Sequence, residues 1–152
     1  MAEAGIENIL VGYPIVGERK LARLADLAER FAISVTVDSE EVAAGISRVA
    51  RERGLTIRAL LELDTGLRRQ GVLPGPGAAD VAERIAALPG IELAGVFTHE
   101  GHVYTQGRDD NEKARLTREA CRAAVDTAEE IRGRGLPAPV VSVGSAGPSA
   151  SP

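Results

Sequence analysis

The chain is 152 residues long, 44% hydrophobic and 26% charged, values typical of one ordinary globular domain. A formal charge of −4 and a pI near 5.3, with no run of Lys or Arg, exclude a basic nucleic-acid footprint. No apolar stretch approaches the roughly 18 residues of a membrane-spanning helix, the start Met1-Ala2-Glu3-Ala4 lacks a signal-peptide pattern, and the lone Cys121 makes a reducing cytoplasm the expected compartment.

Only four aromatics occur (Tyr13, Phe31, Phe97, Tyr104), so the core is expected to be aliphatic and Ala-rich. In chain order, Asn8-Ile9-Leu10-Val11-Gly12-Tyr13 is short, β-prone and halted by Pro14, and reads as a buried strand. From Gly17 to Phe31, Leu21, Leu24, Ala25, Ala28 and Phe31 recur at helical spacing against a charged face, which predicts an amphipathic helix. Ile33 to Val37 is a second strand. Ser39 then caps a helix running to about Arg53, with Gly54 as its stop. Thr56 to Leu63 is the third strand, followed by a Gly/Pro-rich loop and a helix from about Ala78 to Leu88, ended by Pro89-Gly90. Ile91 to Thr98 is the fourth strand, about Asp109 to Arg134 a long helix, and Pro139 to Val143 the fifth strand. The order β-α-β-α-β-α-β-α-β contains no hairpin signal, and strands apolar on both faces predict a parallel sheet covered by helices.

In parallel α/β folds the functional groups gather beyond the carboxyl ends of the strands. Asp38-Ser39 there reads as ordinary capping. The segment Asp64-Thr65-Gly66-Leu67-Arg68-Arg69-Gln70-Gly71-Val72 enters a loop with two arginines, whose guanidinium forks suit a phenolate, carboxylate or phosphate. Its bland alternative is a solvated loop held by an Asp64–Arg pair. Thr98-His99-Glu100-Gly101-His102-Val103-Tyr104 gathers both histidines, a carboxylate and a tyrosine, and reads as a ligand-facing loop. Zinc is the weaker reading, since a helix is not expected and no third ligand is evident. Val141-Ser142-Val143-Gly144-Ser145-Ala146-Gly147 is either a phosphate-binding turn or a loose terminus, and composition does not choose.

Taken in order, Ile9-Leu10-Val11-Gly12-Tyr13-Pro14, Val37-Asp38-Ser39, Asp64-Thr65-Gly66 with Arg69 and Gly71-Val72, Gly95-Val96-Phe97-Thr98-His99-Glu100-Gly101-His102, and Val141-Ser142-Val143-Gly144-Ser145 form a recognisable set. The chain resembles the D-threonine aldolase and D-serine dehydratase-like family, within the alanine racemase N-terminal-domain superfamily, from about Ala4 to Ser149. The resemblance implies a pyridoxal-phosphate enzyme of the TIM-barrel, fold type III kind, a lyase or racemase acting on a small D-amino acid. It implies Arg69 near the ring oxygen of the cofactor, His99 or Tyr104 on the substrate side, and Gly144 and Ser145 in the loop holding the phosphate. No metal ligand is assigned. One departure stands out: the family reads close to Gly-Ser-Thr-Pro where this chain reads Gly144-Ser145-Ala146-Gly147-Pro148, one residue longer.

The family also attaches its cofactor through a lysine on the first barrel strand. The only lysines here are Lys20 and Lys113, both expected as solvated helix charges. A complete barrel takes about 250 residues. The expected fold class is therefore α/β, parallel βα repeats forming a partial TIM (β/α)8 barrel of about five of eight strands over residues 1–152, without the family's C-terminal β domain. The expectation is an inactive fragment, a truncated gene product, prone to self-association through exposed strand edges. The alternatives are a non-catalytic α/β domain binding a phosphorylated ligand, and one half of a split enzyme.

Overall fold

The computed structural model describes residues 5–145. Five strands alternate with helices: β1 Asn8–Val11, α1 Glu18–Ala28, β2 Ala32–Val37, α2 Glu40–Arg53, β3 Ile57–Glu62, α3 Pro76–Ala86, β4 Ile91–Thr98, α4 His102–Gln106, α5 Asp110–Gly133 and β5 Val140–Val143. The strands form one parallel sheet in the sequential order β1-β2-β3-β4-β5. The expected alternation is present. Bounds shift by up to three residues, α3 running Pro76–Ala86 rather than from about Ala78 to Leu88. The first strand stops at Val11 before Gly12-Tyr13-Pro14, the first helix ends at Ala28 rather than Phe31, and the segment expected as a loop after β4 contains the short helix α4.

Local chemistry explains the ends. The Ser39 hydroxyl accepts from the Val42 N–H at 3.3 Å, and Gly54 closes α2 in the left-handed conformation. Asp109 caps α5 by accepting from the Glu112 N–H at 2.8 Å. Pro76 opens α3 in its first turn, where a missing N–H costs no helical bond.

Side chains alternate across the strands. Ile33, Val35 and Val37 of β2, with Ile57, Ala59 and Leu61 of β3, join Leu24, Ile46, Val49, Ile85, Ala124 and Ile131 of the helices in one aliphatic core. The opposite face of the same strands carries Ser34, Thr36, Leu60 and Glu62, all buried. Phe97 also projects there, and its ring comes within 3.6 Å of where a Cβ on Gly12 would stand. In a flat sheet β1 and β4 are three spacings apart, about 14 Å, too far for a phenyl side chain to bridge. The sheet is therefore curled, and its concave side is the interior of a half-barrel.

A register shift between β3 and β4 assists the curl. Ala59 pairs with Leu93 and Leu60 with Gly95, so Ala94 is skipped. Gly95 has φ +143°, and any side chain there would collide with the Val140 carbonyl of β5. Only glycine lets the fifth strand lie against this bulge.

The outer layer is tied by ion pairs between neighbouring helices. Arg48 of α2 reaches Glu18 of α1 at 2.8 Å, and Arg53 reaches Glu29 at 2.8 Å and Asp26 at 3.1 Å. Donating to the carboxylates of Glu52 and Glu18 raises the pKa of Arg48, and donating to Glu29 raises that of Arg53. The bond that Arg134 donates to Asp80 does the same for Arg134 between α3 and α5. At the open side of the sheet, an apolar groove of about 330 Å³ runs beside β1 between Val11, Ile15, Leu24, Leu27 and Ile33. No helix among the described residues is long and apolar enough to cross a membrane.

Candidate functional site

The carboxyl ends of β2 to β5 are laced to one another by backbone and hydroxyl groups. After β3 the chain turns back on itself: the Val72 N–H donates to the Glu62 carbonyl at 2.9 Å and the Asp64 N–H to the Val72 carbonyl at 2.8 Å. Within this loop Asp64 Oδ1 accepts from the N–H groups of Gly66 (3.0 Å) and Arg68 (2.9 Å). The expected alternative, an Asp64–Arg side-chain pair, is thus replaced by a turn in which the carboxylate holds its own backbone. Arg68 follows with a left-handed φ of 57°. From β2, Asp38 Oδ2 accepts the Gly71 N–H at 3.3 Å, so Asp38 fixes this loop while Ser39 caps α2.

Arg69 pairs with Glu62, not Asp64. Its Nη2 lies 3.7 Å from Glu62 Oε1, and both oxygens of that carboxylate accept from Gln70 Nε2, at 2.7 and 2.8 Å. Glu62 is 2% exposed and Arg69 42% exposed. A buried carboxylate at the end of β3 therefore anchors one side of a partly exposed guanidinium.

The exit of β4 lies alongside. Thr98 Oγ1 donates to the Leu63 carbonyl at 2.9 Å and lies 2.8 Å from Thr65 Oγ1. His99 is half-buried, its ring near Gly101, and Glu100 and His102 are buried. Tyr104 sits on α4 with 43% exposure. The chain then returns along α5 to β5, where the Gly144 N–H reaches the Thr98 carbonyl at 3.4 Å. Gly144 and Ser145 are thereby brought against the β4 exit, while Ala146, Gly147 and Pro148 of the same motif lie outside the described residues.

Four buried side-chain atoms have no hydrogen-bond partner among the described residues: Thr36 Oγ1, Glu100 Oε2, His102 Nδ1 and Ser145 Oγ. An orphaned buried polar group costs about 1–3 kcal/mol. All four lie at or just beyond the carboxyl halves of β2, β4 and β5, and none lies at the amino ends of the strands. No group of three or more His, Cys, Asp or Glu side chains converges on a metal-ion position among the described residues.

The sequence alone does not single out Glu62, although a carboxylate closing the strand Ile57–Glu62 needs a partner when buried. Glu100 and His102 read from the sequence only as part of a loop, and the α4 turn beside which they are buried is too short for periodicity to reveal.

The chain is 33% identical over 144 residues to a D-threonine aldolase from Arthrobacter sp, covering 95% of this chain and 38% of that protein. It is 34% identical over 148 residues to the D-threo-3-hydroxyaspartate dehydratase of Delftia sp. (strain HT23), covering 93% of this chain and 37% of the relative. The crystal structure of D-threonine aldolase from Filomicrobium marinum superposes with a TM-score of 0.88 at 31% identity, over 94% of this chain and 38% of that one. The chain thus spans less than two-fifths of the length of these relatives. The alanine racemase N-terminal domain family matches residues 2–149. With five parallel strands curled as in the barrels of these proteins, the chain belongs to the alanine racemase N-terminal-domain family.

Proposed function

We propose that residues 1–152 are part of the barrel of a pyridoxal-phosphate-dependent enzyme acting on a small D-amino acid, in the manner of the D-threonine aldolase and hydroxyaspartate dehydratase relatives. The observation that carries this reading is that the four orphaned polar atoms all lie toward the carboxyl ends of the strands, the end that also bears the Glu62-anchored Arg69. Those groups fit a phosphorylated pyridine. Arg69 presents guanidinium N–H donors to the ring oxygen, held in direction by Glu62. The Ser145 hydroxyl donates to a phosphate oxygen, and Gly144 allows the ligand close to the backbone, its own N–H being directed to Thr98. His99 and Tyr104 stand on the substrate side of this rim. Bound there, pyridoxal phosphate supplies an electron sink for the amino-bearing carbon of the substrate.

The chain offers no lysine at a strand end. Lys20 is exposed on α1, and Lys113 lies in α5 with its Nζ 3.7 Å from Asp110. The 152 residues are therefore proposed to hold the cofactor without attaching it and to be inactive alone. Treating the chain with pyridoxal phosphate, reducing with borohydride and mapping the modified peptides tests this. Scattered labelling of Lys20, Lys113 and the amino terminus, with no turnover of D-threonine, is expected. Stoichiometric labelling of Lys20 alone, accompanied by turnover, overturns it.

β1 and β5 are the outer strands, Leu10 of β1 is 38% exposed, and neither strand carries a charged residue to discourage pairing. The chain alone is proposed to self-associate through these edges. Its sedimentation coefficient should rise with concentration, and a concentration-independent monomer contradicts this. The single cysteine, with no possible internal disulfide, supports a reducing cytoplasm as its compartment.

A further inference from the structure

We propose that His102 contacts the ligand held at the strand ends through its Nδ1, and that Gly66 sets the position of its ring. This inference rests on the cofactor reading above and adds to it a residue that the resemblance does not assign.

His102 is 4% exposed, and its Nδ1 has no partner among the described residues. Burying an imidazole nitrogen unpaired is costly unless something polar meets it. The neighbouring Glu100, 7% exposed, leaves Oε2 equally unpaired, so one exit segment buries two unsatisfied groups at the functional end of the fold. The ring is not loosely placed. A Cβ on Gly66 would stand 2.9 Å from His102 Cδ2, 3.0 Å from Nε2 and 3.2 Å from Cγ, so the imidazole lies directly against the glycine. The Gly66 φ of +141° is one that residues with side chains rarely adopt. Gln106 Nε2 approaches the Gly66 carbonyl at 3.4 Å, so α4 grips this glycine at two points. Gly66 stands three residues before Arg69 in the same loop, whose turn is fixed by Asp64 and Asp38. His102 is therefore packed onto the loop that carries the anion-binding guanidinium, with one nitrogen left over.

The chain has only two histidines, so ring-nitrogen NMR of the full chain reads each one. The probe is pyridoxine 5′-phosphate, which keeps the ring and phosphate but has no aldehyde to react with surface amines. The expected result is saturable binding, weakened by Arg69→Ala, with the Nδ1 resonance of His102 moving along the same saturation curve. His102→Phe keeps a flat ring against Gly66 while removing Nδ1, and should bind about tenfold more weakly, the worth of one lost hydrogen bond (roughly 1.4 kcal/mol). Gly66→Ala should displace the His102 resonances in the unliganded chain and weaken the probe similarly. If His102 only fills space, His102→Phe binds as the parent does and the Nδ1 signal stays still while the probe saturates. That outcome overturns the inference and leaves the cofactor reading standing. Absence of saturable, Arg69-dependent binding overturns both.

Discussion

On the helix side of β2 and β3, Val35, Val37, Ile57 and Leu61 are buried among aliphatic groups that need no partner. On the concave side the same two strands bury Ser34, Thr36 and Glu62. The first set makes non-directional contacts whose strength follows the area removed from water. The second set needs directed partners, and the protein supplies only some of them: Glu62 has Gln70 and Arg69, while the Thr36 hydroxyl has none. Equal burial on two faces of one strand therefore carries different chemistry. The helix side stores stability, and the concave side, toward the carboxyl ends, keeps unspent hydrogen-bonding capacity at the candidate site.

Substitutions on adjacent positions of β3 separate the two faces. Leu61→Ala removes a fully buried side chain from the helix side and should cost about 3–4 kcal/mol, read as a lowered urea midpoint with an unchanged slope. Probe affinity, measured on the folded fraction, should stay within about twofold. Its neighbour gives the opposite pattern. Glu62→Gln keeps the shape and an acceptor for Gln70 but removes the charge facing Arg69. Stability should change by less than about 1 kcal/mol, while affinity for pyridoxine 5′-phosphate falls about fivefold as the guanidinium loses its anchor. Equal effects of the two substitutions on binding would erase the distinction between the faces.

The helix side was legible in the sequence because its signals are local and repeated. The spacing of Leu21, Leu24 and Ala25, the Ser39 cap and the Gly54 stop each declare a helix face or end without knowledge of the rest of the fold. The concave side was legible only in part. Arg69, His99, Gly144 and Ser145 stand where a strand-end argument puts them, because parallel sheets collect loops there. Their partners were not readable. The counter-ion of Arg69 lies seven residues upstream, across a loop whose path depends on Asp38 and Val72, and the nearby Asp64 is occupied by backbone N–H groups. The burial of His102 depends on a five-residue helix packing onto Gly66, a contact between residues 36 positions apart. Long-range closure of this kind leaves no periodic trace.

The central claim is that the carboxyl ends of these strands hold a phosphorylated pyridine through Arg69 and Ser145. Calorimetric titration of the chain with pyridoxine 5′-phosphate, repeated for Arg69→Ala and Ser145→Ala, tests it most directly. The account predicts a saturable one-to-one isotherm for the parent chain and roughly tenfold weaker binding for each variant, the loss of one charge-assisted or phosphate hydrogen bond. A featureless isotherm for the parent chain, or the same affinity in all three proteins, would contradict it.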